Sequence, residues 1–240
     1  MIYGAYKTGF KAGGYAFSVF PVATLNLPAQ KYKSETVDGF ELGTKMQTGN
    51  GLFLTATAYS YDFNGNIAAQ RCDLDILLPC AMSNHYHAVV YDRHGNLPDF
   101  TEHFHKLFAK CQNALRGRWE NLWSSEQVCV VRLTDTTDVL AKLVYVATNP
   151  VKDGLVDKVH QWPGINGLAA LLADRPMAAR RPHHFFRAKG PMPESSTLRL
   201  TLPPELGDPQ QLRAELRDRV AALEKSFADQ RQHAGRRVLG

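Results

Sequence analysis

Residues 74–91, LDILLPCAMSNHYHAVVY, carry the pattern that decides the fold class of this 240-residue chain. Residues 74–80 and 85–91 are each rich in aliphatic, β-branched or aromatic side chains, which is typical of β-strands. The link between them covers only residues 81–84, and so short a link favours an antiparallel hairpin. The stretch therefore predicts two neighbouring strands of an antiparallel sheet.

The flanking sequence predicts further strands and several helices. Runs of β-branched and aromatic residues predict strands over residues 52–61 and 126–133. Helices are predicted where apolar residues recur every three or four positions or where caps are clear, at residues 99–119, 136–149, 165–173 and from Pro209 onward. An antiparallel sheet with helices packed on it, an α+β fold, follows from this order of elements.

Two local signals set boundaries within this pattern. Residues 63–66, FNGN, predict a turn after the first strand. Pro150 is expected to end the second helix at Asn149, because a residue that precedes proline is pushed out of the α region. Asp135 or Thr136 is expected to cap the start of that helix, and Asp208 the start of the last one.

The composition excludes several classes of protein. Hydrophobic residues make up 44 %, and 28 Lys and Arg stand against 23 Asp and Glu, so a disordered chain, a collagen and a disulfide miniprotein are excluded. No apolar run approaches the ~18 residues of a membrane span, so no membrane association is expected. The four cysteines lack CxxC spacing, which favours reduced thiols in a cytoplasmic protein. Lys7 and Lys11 before a mildly apolar stretch leave export as the alternative.

Three segments differ in character. Residues 1–48 show no sustained period and predict an irregular extension, residues 49–170 hold the predicted sheet and helices, and residues 171–240 form a basic extension with a terminal helix. That helix is expected either to pack on the body of the protein or to pair with a second subunit, which leaves a homodimer open.

The excess of positive charge lies in residues 175–189, which contain five basic and no acidic residues. The basic residues are Arg175, Arg180, Arg181, Arg187 and Lys189. Cations interleaved with aromatic residues suit a phosphate backbone with unstacked bases, which predicts nucleic-acid binding. The alternative is a solvated loop that Phe185 and Phe186 anchor to the core.

Two H-x-H pairs behave differently according to their elements. On a strand, His85 and His87 project from the same side and can converge on one divalent ion. His103 and His105 have the same spacing but lie in the predicted helix, where such positions point about 200° apart. The second pair is therefore expected to contact solvent or phosphate, and the first pair is the candidate metal site.

Tyr145 and Asn149 are one turn apart on the predicted helix of residues 136–149. Tyr145 lies about 200° from Leu143 and so off the apolar stripe, and Asn149 shares its face. A phenol beside a carboxamide can act as nucleophile and metal ligand, since a carboxamide oxygen suits Mg²⁺ or Mn²⁺. The alternative is a half-buried structural tyrosine.

Three motifs together resemble the single-tyrosine HUH transposases, and most closely the REP-associated tyrosine transposases of bacteria. They are AMSNHYHAVV at residues 81–90, NLW at residues 121–123 and YVATNPVKDGLV at residues 145–156. The family has a Met-Pro-Asn-His-aliphatic-His stretch, an internal Leu-Trp and a Tyr-x-x-x-Asn-Pro-Val-(Lys/Arg)-x-Gly-Leu-Val block in the same order. Ser83 stands in place of the usual Pro and Tyr86 in place of the aliphatic residue, and neither change removes a ligand.

The resemblance implies a fold, a site and a reaction. The fold would be the HUH endonuclease fold, a ferredoxin-like or RRM-like antiparallel sheet with packed helices, with residues 49–170 as the catalytic domain. His85, His87 and Asn149 would bind Mg²⁺ or Mn²⁺, and Tyr145 would be the nucleophile. The reaction would be cleavage and rejoining of single-stranded DNA beside a hairpin such as a REP element, through a 5′-phosphotyrosine and a free 3′-OH. The protein would act in the bacterial cytoplasm, and Lys152 would contact a phosphate or lie free on the surface.

Two other functions remain open from the sequence. An α+β module that grips structured nucleic acid without cutting it would need the basic segment but neither Tyr145 nor the histidines. A hydrolytic nuclease would combine His85 and His87 with an acid such as Asp75 or Asp92 and use water as the nucleophile.

Overall fold

A computed structural model describes most of the chain. It covers the backbone of residues 2–11, 14–15, 31–32 and 35–44, and the backbone and side chains of residues 63–124, 126 and 128–239. The chain divides into two compact units, Met1–Gly51 and Leu52–Gly240. The predicted segments 49–170 and 171–240 therefore fall mostly within one unit.

The first unit contains two antiparallel strand pairs. Strand β1 (Ile2–Lys11) pairs with β4 (Glu35–Thr44), and β2 (Gly14–Tyr15) pairs with β3 (Lys31–Tyr32). The prediction of an irregular extension over residues 1–48 is therefore wrong for this part of the chain. Strand pairing satisfies backbone hydrogen bonds whatever the side chains, so strands can form without the alternating pattern that the prediction required.

The second unit is built around the hairpin that residues 74–91 predict. Strands β5 (Asp75–Ala81) and β6 (Tyr86–Tyr91) pair antiparallel, with Asp75 opposite Tyr91 and Cys80 opposite His87. The backbone N–H of Met82 donates to the carbonyl of His85 at 2.8 Å and closes the link. The outer edge of β5 is hydrogen-bonded to the backbone of residues 165–167, so both edges of this strand are paired near the link.

Two helices flank this hairpin in sequence. Helix α1 covers residues 63–72, and helix α2 (Leu97–Arg116) buries Phe100, Phe104 and Phe108 along one stripe. The predicted turn at residues 63–66 is wrong, because these residues begin the described part of α1. Phe63 and Asn64 are fully buried, so packing overrides the local preference of Asn and Gly for a turn.

Helix α3 (Thr136–Lys152) begins where the sequence predicts, with the Asp135 carboxylate accepting from the Asp138 N–H at 2.8 Å. It does not end at Asn149 as predicted, since Pro150 lies inside the helix. A proline has no N–H to donate to the carbonyl four residues earlier, so α3 loses one helical hydrogen bond at Pro150. Backbone N–H groups of Asp153 and Leu155 donate to the carbonyls of Asn149 and Pro150, so the last turn closes beyond the proline.

Helices α2 and α3 lie on opposite faces of β6. The Tyr86 ring contacts Phe104 of α2 at 5.4 Å, and the next residue, His87, contacts Tyr145 of α3 at 5.6 Å. Successive side chains on a strand point to opposite faces, so the two contacts place one helix on each side. The face of β6 that carries Tyr86 therefore packs on α2, and the face that carries His87 lies against α3, the helix of Tyr145.

The C-terminal part of the chain packs onto the same body. It contains α4 (Leu168–Leu172), the antiparallel pair β7 (Met177–Arg180) and β8 (Ser195–Leu198), short 3₁₀ turns at Val159–Gln161 and Pro204–Leu206, and α5 (Pro209–His233). Helix α5 buries Leu216 and Val220, and Arg231 donates to the Val151 carbonyl at 3.4 Å and to Asp157 at 2.8 Å. The terminal helix therefore packs on the body, the first of its two predicted roles, and holds the C-terminal end of α3.

The strand predicted over residues 126–133 is not formed by the described residues of that segment. Residues 128–134 form no regular structure, and Val130 and Val131 are about three-fifths exposed, at 59 % and 63 %. Their β-branched side chains favour a strand only where a neighbouring strand offers a packed surface. The strand predicted over residues 52–61 lies outside the described residues. No described helix is long and apolar enough to cross a membrane.

The second unit is thus a mixed α/β body with small antiparallel sheets and packed helices, compatible with the predicted α+β class. Its core combines the buried faces of β5, α2, α3 and α5. All four cysteines are free, as expected from their spacing, and three of them are buried.

Candidate functional site

His85 and His87, at the start of strand β6, converge as the sequence predicts. His85 Nε2 lies 3.1 Å from His87 Nε2, and the two rings meet edge to face at 4.8 Å. His85 immediately precedes β6 and His87 is its second residue, so the alternation of the strand places both on one side. At 3.1 Å the two nitrogens cannot both carry a proton, and at least one of them presents a lone pair.

Asn84 orients the first of these rings. Its Oδ1 lies 2.8 Å from His85 Nδ1 and has only lone pairs to offer, so Nδ1–H donates to it. A neutral imidazole carries a single proton, which leaves His85 Nε2 as an acceptor. Fixing a ligand's tautomer through its other nitrogen is the usual role of a supporting residue at a metal site. Asn84 lies within the AMSNHYHAVV motif, but its contact with His85 depends on the turn before β6 and does not follow from the spacing.

His87 is held in its neutral form. Burial lowers the pKa of His87, the charges of His85 and Lys142 lower it further, and Asp153 raises it. A neutral imidazole is the form that binds a metal ion or accepts a hydrogen bond. The lowered pKa therefore favours the form of His87 that has a nitrogen lone pair.

Tyr145 lies directly beside this pair. Its ring meets the His87 ring edge to face at 5.6 Å, and its side chain is 36 % exposed although the neighbouring positions of α3 are buried. The predicted position off the apolar stripe is confirmed, since Leu143, Val144 and Ala147 are all buried. The phenol and both histidines come from the same chain, so no second subunit is needed to bring them together.

Asn149 is placed more deeply than the sequence predicts. It follows Tyr145 by one turn, but its side chain is only 3 % exposed, and its Oδ1 is buried without a hydrogen-bond partner in the described part of the chain. A buried polar atom left unpaired costs about 1–3 kcal/mol, so such an atom calls for a ligand. Asn166 donates to the Ala147 carbonyl at 2.8 Å and ties this part of α3 to the edge of β5.

The residues present fit a divalent ion. Two ligands bonded at ~2.1 Å to one ion at tetrahedral to octahedral angles lie about 3.0–3.4 Å apart, and the two Nε2 atoms are 3.1 Å apart. The unpaired carboxamide oxygen of Asn149 is a donor that Mg²⁺ and Mn²⁺ accept. No group of three or more His, Cys, Asp or Glu residues that could hold a metal is found among the described residues. The residues that would hold such an ion are His85 and His87, with Asn149 as the third ligand.

Two lysines flank the phenol. Lys152, which the sequence singles out, is the last residue of α3, and its Nζ lies 4.9 Å from the centre of the Tyr145 ring. Lys142, which belongs to none of the sequence motifs, places its Nζ at the same distance of 4.9 Å. The (i, i+3) spacing of Lys142 and Tyr145 on a helix is the signal that could have found it.

His105 of the second H-x-H pair is structural, so the expectation that it contacts solvent or phosphate is wrong. The Tyr86 hydroxyl lies 2.7 Å from His105 Nε2, and the Trp123 ring stacks on His105 at 4.4 Å. Burial lowers the pKa of both His103 and His105. The two side chains point apart on α2, as the helical spacing predicts, and His105 supports strand β6 from the face opposite the candidate site.

The basic segment divides into exposed and buried residues. Arg175, Arg180, Arg187 and Lys189 are exposed. Arg181 is buried, and its guanidinium donates to the carbonyls of Met192 and Ala188 at 2.6 and 3.0 Å. The prediction that Arg181 contacts nucleic acid is therefore wrong, because its donors hold the loop before β8. Phe186 packs on Phe63 at 5.3 Å, so the aromatic residues anchor the segment while four cations stay accessible.

Comparisons with known proteins found no matching family model, no matching curated protein and no matching solved structure.

Proposed function

We propose that the protein is a DNA transposase of the single-tyrosine HUH type, which cleaves and rejoins single-stranded DNA beside a hairpin such as a REP element. The observation that carries the proposal is the meeting of the two histidines with Tyr145 in one chain. The Nε2 atoms of His85 and His87 converge at 3.1 Å, and the exposed Tyr145 packs on His87. The unpaired oxygen of Asn149 lies one turn further along α3.

The residues divide the chemistry among them. The Tyr145 Oη would attack the scissile phosphorus, the new Oη–P bond would replace the P–O3′ bond, and the phenol proton would pass through solvent to the leaving 3′ oxygen. A phenol is almost entirely protonated at neutral pH, so it needs an activated electrophile. A Mg²⁺ or Mn²⁺ ion held by His85, His87 and Asn149 would supply that activation by polarising the phosphate.

The phosphotyrosine conserves the energy of the phosphodiester bond. A returning 3′-OH can therefore displace Tyr145 and rejoin the strand without another energy source. The second unit would correspond to the HUH endonuclease fold, with the β5–β6 hairpin and α3 as its catalytic elements. The exposed cations Arg175, Arg180, Arg187 and Lys189 would bind the backbone of the DNA. Such a protein would act in the bacterial cytoplasm, and because Tyr145 meets His87 of its own chain, a homodimer is not required.

The hydrolytic alternative has less support. Asp75 forms an ion pair with Arg93 at 2.8 Å, and the Asp92 carboxylate accepts the N–H groups of Asn96 and Leu97 at 2.9 Å each. Asp75 is paired with Tyr91, four residues along β6 from His87, which places it roughly 13 Å from the histidines. Neither acid completes a site with His85 and His87.

The test is covalent capture of the DNA. Labelled single-stranded hairpin DNA is incubated with Mn²⁺ and run on a denaturing gel. The wild type should give a slowly migrating protein–DNA band, and Tyr145→Phe should bind the hairpin in a native gel yet give none. Tyr86→Phe is the matched control, since it removes the same hydroxyl on the opposite face of β6 and should keep the band.

The alternatives predict other outcomes. Cleavage by Tyr145→Phe at the wild-type rate would make water the nucleophile and overturn the proposal. Binding by the wild type without any cleavage, with Mn²⁺ or Mg²⁺, would leave a nucleic-acid-binding module.

A further inference from the structure

Two lysines converge on Tyr145 from opposite directions along α3. Lys142 lies three residues before it and Lys152 seven residues after it, and these positions share one face of the helix. Ten residues of helix span about 15 Å along the axis. Both side chains nevertheless place their Nζ atoms 4.9 Å from the centre of the same ring, so both extend along the helix toward the phenol.

The convergence brings two positive charges to the phenol, whereas the neighbouring residue Asp153 supplies one negative charge. Neither lysine forms an ion pair with a carboxylate in the described part of the chain, whereas Lys106 and several arginines do. Two cations beside a single carboxylate leave a net positive environment that favours a bound anion.

We propose that Lys142 and Lys152 form a phosphate clamp that holds the scissile phosphate of single-stranded DNA against the Tyr145 hydroxyl. This inference rests on the proposed function, and it names the groups that bind the reacting phosphate besides the metal ligands. Each ammonium would bind one non-bridging oxygen, since lysine acts toward phosphate as a compact point charge. While the Oη–P bond forms and the P–O3′ bond breaks, the same charges would stabilise the charge that develops around phosphorus.

The first experiment measures the rate of adduct formation at saturating hairpin DNA. Lys142→Gln and Lys152→Gln should each lower the single-turnover rate constant about tenfold, and the double variant should lower it further. Lys142→Arg keeps the charge and should stay within a few-fold of the wild type. Lys225→Gln on α5 removes an exposed lysine and should match the wild type. An unchanged rate in the double variant would overturn the clamp.

The second experiment does not depend on catalysis. Lysine acetylation is followed residue by residue by mass spectrometry in metal-free buffer, with and without the hairpin DNA. The DNA should slow the acetylation of Lys142 and Lys152 several-fold and leave that of Lys225 unchanged. Thermal melts of each variant report that it is folded.

The two experiments separate the clamp from the proposed function. Protection of both lysines without any adduct in the wild type would support the clamp and overturn the transposase function. An adduct with unprotected lysines and unchanged variant rates would support the function and overturn the clamp. The absence of both protection and adduct would overturn both.

Discussion

Removal of the Tyr86 hydroxyl should destabilise the protein, whereas removal of the Tyr145 hydroxyl should not. The Tyr86 hydroxyl lies 2.7 Å from His105 Nε2, and burial raises the pKa of Tyr86 to about 12. The phenol therefore stays protonated at neutral pH and donates to the ring nitrogen. Trp123 Nε1 in turn donates to the His105 carbonyl at 2.9 Å, so Tyr86, His105 and Trp123 form one network behind strand β6.

The size of the effect follows from what Tyr86→Phe leaves behind. The ring keeps its contacts with Phe104 and Trp123, at 5.4 and 5.8 Å, so little packing is lost. The half-buried His105 Nε2 loses its donor, and an unsatisfied acceptor of this kind costs about 1–2 kcal/mol. For a chain of this length that corresponds to a decrease in Tm of roughly 2–8 °C.

Tyr145→Phe is the matched comparison. The Tyr145 side chain is 36 % exposed, and its hydroxyl makes no hydrogen bond within the described part of the chain. Its free energy of unfolding should therefore change by less than about 0.5 kcal/mol. Urea unfolding followed by Trp fluorescence at pH 7.5 measures both variants. Equal losses of stability, or no loss in Tyr86→Phe, would refute the assignment of one tyrosine to structure and the other to chemistry.

Three further predictions concern the histidines and the basic segment. His85→Ala should abolish the Mn²⁺-dependent adduct while His103→Ala keeps it, and equal loss in both would contradict the distinction between strand and helix. Burial lowers the pKa of His105 from its ordinary value of 6.5. As the pH falls, the His105 imidazole is therefore protonated at a higher pH in the unfolded chain than in the folded protein. The free energy of unfolding should therefore fall as the pH drops below 6.5, and it should fall less in His105→Gln. Denaturant titrations from pH 7.5 to 5 measure this, and equal falls in the wild type and the variant would contradict it. Arg181→Ala should lower the free energy of unfolding by about 2 kcal/mol. Arg187→Ala should leave that free energy unchanged but reduce the slope of log K against log salt concentration for single-stranded DNA by about 0.7. The reverse pattern would place Arg181 on the DNA.

Local pattern sufficed where an element's own geometry sets the arrangement. A strand alternates its side chains, so the convergence of His85 and His87 follows from their spacing alone once residues 85–91 are taken as a strand. A helix repeats every 3.6 residues, so the exposed position of Tyr145 follows from the buried stripe of α3 in the same way. The same argument separates His103 from His105 on α2.

Other features depend on contacts between distant parts of the chain. Residues 63–66 have the composition of a turn, but they are buried against the body of the second unit and adopt a helix. Residues 128–134 have the composition of a strand, but without a paired neighbour they form none. In both cases a weak local preference is smaller than the free energy of packing, which the sequence pattern does not express.

The sequence alone determined the β5–β6 hairpin, the register of α3 and the candidate residues His85, His87, Tyr145 and Asn149, because each depends on the periodicity of one element. Only the tertiary structure decided which of the basic residues are accessible and what surrounds the phenol. Arg181 is buried and donates to carbonyls 7 and 11 residues away in the chain. The side-chain oxygen of Asn149 is buried without a partner in the described part of the chain, where α3 packs on the hairpin. Lys142 and Lys152 meet over Tyr145 because their long side chains extend toward it along the helix. Burial and side-chain direction of this kind arise only when the elements pack together, so they are properties of the assembled fold.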